Sequence, residues 1–143
     1  MRQAAIAILL VMACAPGASS APSAGPAVPN SVTKPIIRTA ATISAQPLRL
    51  PQGKAEMVAA AVEIPANGST TIHQHPWSRF VYVERGPVRI INHATGETKD
   101  FQTGEAFAEV IAQWHHGIAP GAGGARLIVI DLVPPGATNM KMR

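Results

Sequence analysis

Aromatic residues are scarce: two Trp, one Tyr and three Phe in 143 residues. Any core must therefore be built mainly from Ala, Val, Ile and Leu. There is one cysteine, Cys14, which excludes an intramolecular disulfide. Lys and Arg number 12 against 8 acidic residues, a formal net charge of +4. Part of that excess is Arg2, Lys141 and Arg143, and the rest is scattered singly. No basic cluster tracks a phosphate backbone, so no nucleic-acid partner is expected. No stretch carries a helical stripe of apolar residues. The uninterrupted apolar run Ala4 to Ala13 is shorter than the roughly 20 residues that a membrane-spanning helix needs.

Proline (13) and glycine (12) are abundant, which favours many turns and short elements. The length argues for one folded domain. The beginning of the chain looks like a leader rather than part of that domain. Arg2 precedes the apolar run, as in a secretory signal, and Val11-Met12-Ala13-Cys14 resembles a bacterial lipoprotein box. Val11 and Met12 depart from its usual residues. An ordinary cleaved signal and a retained cysteine are the alternatives. The lipoprotein reading would make Cys14 a membrane tether and place the protein in the periplasm or on the outer membrane. Residues 15–35 are Ala, Pro, Ser and Gly with little charge, a flexible linker. The expected organisation is leader 1–14, linker 15–35 and domain 36–143.

Within the domain, β-type runs alternate with turn chemistry. Strands are expected over 38–44, 55–64, 70–74, 80–84, 88–92, 97–101, 106–111, 115–118 and 125–133. About nine short strands at this spacing predict an all-β sandwich or barrel. The run 125–133 is almost continuously apolar, as for a strand buried on both faces. The tail from Pro134, punctuated by Pro and Gly, is expected to be a loose end.

The chemistry-bearing stretch is His73 to Gly86, HQHPWSRFVYVERG. Residues two apart on a strand point to one face, so His73 and His75 can present two imidazoles to one point. His115, 40 residues after His75, offers a third. Three neutral imidazoles suit a divalent transition metal: Fe, Mn, Co, Ni, Cu or Zn.

The spacing resembles a small single-domain cupin. His73-x-His75, three residues, position 79, six residues and Gly86 follow the first motif of that family. Gly104, five residues, position 110, one residue, position 112, two residues and His115 follow the second. The resemblance covers roughly Arg38 to Leu132. It implies a double-stranded β-helix, or jelly-roll, barrel with His73, His75 and His115 as metal ligands, and homodimer formation. The departures concern function. Arg79 stands where the family usually has a metal-binding Glu. Val110, Ala112 and Ala119 replace the usual Pro, Gly and Asn, and Asn67 stands at the first Gly position.

Two residues are candidates to complete the site. Glu109 lies in an apolar strand, where a carboxylate needs a partner or a metal. It is read as a fourth ligand, a partner of a histidine, or a general base, with a surface charge on an edge strand as the alternative. Arg79 is read either as a surface residue or as a cation beside the pocket, paired with Glu109 or receiving an anionic substrate. Glu84 is expected to be a solvated turn charge, His116 to face away from the site, and His93 to be exposed. The expected function is a metal-dependent, oxygenase-type reaction on a small, anionic or neutral, organic molecule. The alternative is a non-catalytic module binding a small ligand or metal, supported by the missing motif Glu.

Overall fold

A computed structural model describes residues 31–143. The leader, Cys14 and most of the linker lie outside the described residues. The described residues form nine strands: β1 Glu56–Ile64, β2 His73–Gln74, β3 Arg79–Arg85, β4 Val88–Asn92, β5 Thr98–Phe101, β6 Ala106–Ala108, β7 His115–Ile118, β8 Ala125–Val133 and β9 Lys141–Met142. They form a four-stranded sheet, order β1-β8-β3-β6, and a five-stranded sheet, order β5-β4-β7-β2-β9. All paired strands are antiparallel. This is the expected all-β jelly-roll architecture, in which two sheets bury one face each against the other.

The core between the sheets is aliphatic, as the composition requires. Val81 and Val83 of β3, Val88 and Ile90 of β4, and Leu127 and Val129 of β8 are all buried. Phe107 adds one large ring, stacked on Phe101 with centroids 3.9 Å apart. Turn residues behave as their chemistry dictates. Asn67 takes a left-handed φ of 56° in the Pro65–Gly68 turn, and Gly104 takes 89° between β5 and β6.

The strands expected over 70–74 and 106–111 shorten to β2 and β6, and three further elements differ from the sequence expectation. Residues 38–44 form no strand. Thr39 and Thr42 hydroxyls bond to nearby backbone, and only Ala41 bridges to Pro47; local side-chain bonding of this kind competes with a ladder. Strand β8 is not buried on both faces. Ala125, Leu127, Val129, Asp131 and Val133 point into the core, while the alternate residues are only half-covered. Its outer face lies beside Met57 and Tyr82, both exposed. The tail is not loose, because Lys141 and Met142 pair with Gln74 and His73. That pairing lends β2, only two residues long, a second neighbour.

Candidate metal centre

His73 and His115 are cross-strand partners in the β2–β7 register, so their rings lie on the same face. Their centroids are 4.5 Å apart. His75 follows two residues on and joins them, at 4.8 Å from His73 and 5.0 Å from His115. Glu109 enters from the opposite sheet, just beyond β6. All four side chains are buried, and one ligand atom from each lies within 4.8 Å of the others.

Backbone carbonyls fix the orientation of all three rings. Nδ1 of His73 faces the Thr71 carbonyl at 2.7 Å, Nδ1 of His75 faces that of Asn139 at 2.5 Å, and Nδ1 of His115 faces that of Gln113 at 2.8 Å. A carbonyl only accepts, so each Nδ1 carries the proton and each Nε2 turns inward. His75 Nε2 lies 2.8 Å from Glu109 Oε2, and His115 Nε2 lies 3.7 Å from it. Neither approach is a hydrogen bond. His75 Nε2, His115 Nε2 and Glu109 Oε2 are left without partners. Buried polar atoms are rarely orphaned. Lone pairs converging on a carboxylate require either an added proton or a cation between them.

The ionisation of the site follows from its surroundings. Burial pushes His73 down to about 4, so it is a neutral ligand at neutral pH. Burial also lowers His115, but Glu109 more than offsets it and the net shift is upward. Burial pushes Glu109 up, yet the facing His115 and His75 outweigh it and hold the carboxyl well below the usual range. A carboxylate and inward-facing imidazole Nε2 atoms are donor types that transition ions take, so the residues present could hold one.

The departure at Arg79 now has a geometric explanation. Phe80 pairs with Ala108, and the Glu109 amide donates to the Arg79 carbonyl at 2.9 Å. Position 109, just past the end of β6, is therefore the cross-strand neighbour of position 79. The carboxylate absent at 79 stands one strand away. Arg79 does not pair with Glu109, and it is not a surface residue. Its Nε and Nη2 donate to Asp131 at 2.9 and 2.6 Å, both residues being buried. Asp131 also accepts from Asn139 Nδ2 at 2.7 Å. The Trp77 amide donates to Asn139 Oδ1 at 2.9 Å. Arg79, Asp131 and Asn139 thus form a brace behind His75.

Asp131 and Asn139 were not singled out in the sequence. Asp131 carried the same signal as Glu109, a lone carboxylate in an apolar strand. Asn139 carried none, because it lies in a segment read as a loose end. Glu84 pairs with Arg126 away from the cluster. His116 faces outward, with its Nδ1 2.9 Å from His93 Nε2. A cavity of about 280 Å³ opens onto His73, Glu109 and Arg79. A larger recess of about 430 Å³ runs along Gln46 to Gln52 and touches none of the four clustered side chains.

Comparison with known proteins agrees with this architecture. No curated protein matches the chain. Among solved structures, it is similar to DMSP lyase DddQ from Ruegeria pomeroyi DSS-3, at 15% identity over 60% of this chain and 42% of that one, with a TM-score of 0.51. It is similar to Lactobacillus farciminis oxalate decarboxylase in a formate complex, at 26% identity over 60% of this chain and 26% of that one, TM-score 0.47. It is also similar to the Schizosaccharomyces pombe Cnp3 cupin domain, at 16% identity over 57% of this chain and 59% of that one, TM-score 0.48. The chain thus spans less than two thirds of each of these relatives. The pattern that describes the cupin domain matches residues 60–131. That match takes in β3 to β7, both histidine segments and Glu109, and by it the chain belongs to the cupin family.

Proposed function

We propose that this domain binds one divalent transition ion through Nε2 of His73, His75 and His115 and the carboxylate of Glu109, and that it acts on a small organic molecule. The observation that carries this reading is the set of buried, unpartnered atoms, His75 Nε2, His115 Nε2 and Glu109 Oε2, converging on one point. When bound, such an ion acts as a Lewis acid or an oxygen-activating centre, which makes oxygenase-type chemistry the first reaction class to test.

The chain's own residues set the conditions. The three carbonyls hold the imidazole tautomers, the Asn139 brace holds His75, and the cavity gives a small molecule access to His73 and Glu109. The case for a non-catalytic module rested on the missing motif Glu. Glu109 supplies a carboxylate from the next strand, so that argument loses its basis. A role as exported protein, tethered through Cys14 and pairing with a second copy, belongs to the same proposal and rests on the leader-like residues 1–14 and on the family resemblance. A Cys14→Ser variant that still partitions with membranes would remove the tether.

The test is metal analysis of protein purified without a His tag, for wild type and His75→Ala. About one ion per chain, lost in the variant, supports the reading. No metal in the wild type after incubation with divalent ions overturns it. Oxygen uptake with a panel of small acids and thiols then separates turnover from binding.

A further inference from the structure

We infer that the cavity beside the cluster takes a small monoanionic amphiphile, with one anionic head toward the metal and a short aliphatic body behind it. The inference rests on the metal-binding reading above and concerns what the cavity admits.

The walls are Val62 and Ile64 of β1, Ile90 of β4, Leu127 and Val129 of β8, and Met140 of the tail. Besides the cluster and Arg79, the polar lining residues are Glu63, Thr70 and Thr71, and most are already engaged: Glu63 pairs with Arg85 and Arg126. Nε and Nη2 of Arg79 are both committed to Asp131, so its charge is matched. The Thr70 hydroxyl accepts from the Gly117 amide at 3.0 Å, and the Thr71 carbonyl faces His73. An imidazole that ligates a metal does so uncharged, so the histidines add no charge. With Arg79 and Asp131 cancelling, a divalent ion and Glu109 leave the site with one net positive charge. That charge favours one anionic group on the metal. A second anionic group on the same ligand would reach the Val, Ile and Leu walls, where no cation is free to meet it. An unpaired charge in such surroundings is strongly disfavoured. The cavity, about 280 Å³, lies just below the range for organic ligand sites, which is roughly 300–1,000 Å³. It therefore admits a short chain and excludes a large ring system.

The test uses the Co²⁺-loaded protein and follows the visible absorption of the ion as ligands are added. Acetate, propionate and butyrate are compared with succinate. Affinity is expected to rise about fourfold per added methylene, the gain for burying one such group, and succinate is expected to bind at least tenfold more weakly than butyrate. A flat chain-length series, or succinate binding as tightly as butyrate, overturns the inference. Val62→Arg adds a cation to the wall at a half-buried position. With its Co²⁺ spectrum intact, this variant is expected to gain at least tenfold for succinate and to lose affinity for butyrate; no gain for succinate also overturns the inference. If Val62→Arg fails to fold, the wild-type series decides alone. Absence of any Co²⁺ binding by the wild type is a different failure, because it removes the metal reading itself.

Discussion

Replacing Arg79 by Met tests whether this residue is a brace or a pocket cation. The guanidinium and the Asp131 carboxylate meet through two charge-assisted hydrogen bonds of 2.9 and 2.6 Å, and the residues are 8% and 5% exposed. In the variant, Asp131 keeps only the Asn139 amide and becomes a buried charge without a counter-ion. Breaking a buried pair from one side costs about 3–5 kcal/mol. Domains of this size have on the order of 5–15 kcal/mol in total, so the loss is a large fraction of the fold's stability. Expressed as a melting temperature, it corresponds to a fall of roughly 15–30 °C. The assay is thermal unfolding by circular dichroism on metal-free protein, with Arg79→Met/Asp131→Leu as the control. Removing both charges while keeping apolar volume is often neutral or stabilising, so the double variant should recover most of the loss. A single variant melting within about 3 °C of wild type would refute the brace, since surface charge changes fall within roughly ±0.5 kcal/mol.

Asn139→Ala removes the side chain that links Trp77 to Asp131 and anchors the carbonyl facing His75. It should destabilise the fold by about 1–3 kcal/mol and weaken metal binding about 10–100-fold, measured by denaturation and by competition with a chelator. Ala112 sits at a left-handed φ of 54°, so Ala112→Gly should stabilise by about 0.5–1 kcal/mol, the relief of strain less the extra freedom of glycine in the unfolded chain. Metal uptake should release protons. Because the folded-state pKa of His115 is raised by Glu109, its extra proton stabilises the metal-free fold fully below the ordinary histidine value of 6.5. That contribution is lost as pH rises through the raised pKa. Metal must displace this proton, so affinity should fall on acidification through that window; calorimetry at pH 6 in two buffers of different ionisation enthalpy should report it, and zero proton release would refute it.

The parts of the protein legible in the sequence were those with a local signal. Alternation and turn residues mark β1, β4, β7 and β8 almost to the residue, and the His-x-His pair marks the site because a strand's two-residue period leaves no other geometry. Glu109 stood out because a carboxylate among Phe107, Val110 and Ile111 demands a partner. Its true partners did not, because strand register is a tertiary property. Only the β3–β6 pairing shows that position 109 is the neighbour of position 79, and only the β3–β8 register brings Arg79 opposite Asp131. The order of the tail is hidden from the sequence for a similar reason. Its Pro and Gly residues indicate turns, whereas β9 is held by pairing with β2, more than 60 residues away, and Asn139 by Trp77 and Asp131.

The most direct measurement of the central claim is X-ray absorption at the metal edge of the ion-loaded protein, for wild type and Glu109→Gln. The account predicts three imidazole nitrogens and one carboxylate oxygen within about 2.0–2.2 Å of the ion, with a changed oxygen shell in the variant. Fewer than three imidazoles, or a spectrum that Glu109→Gln leaves unchanged, would contradict it.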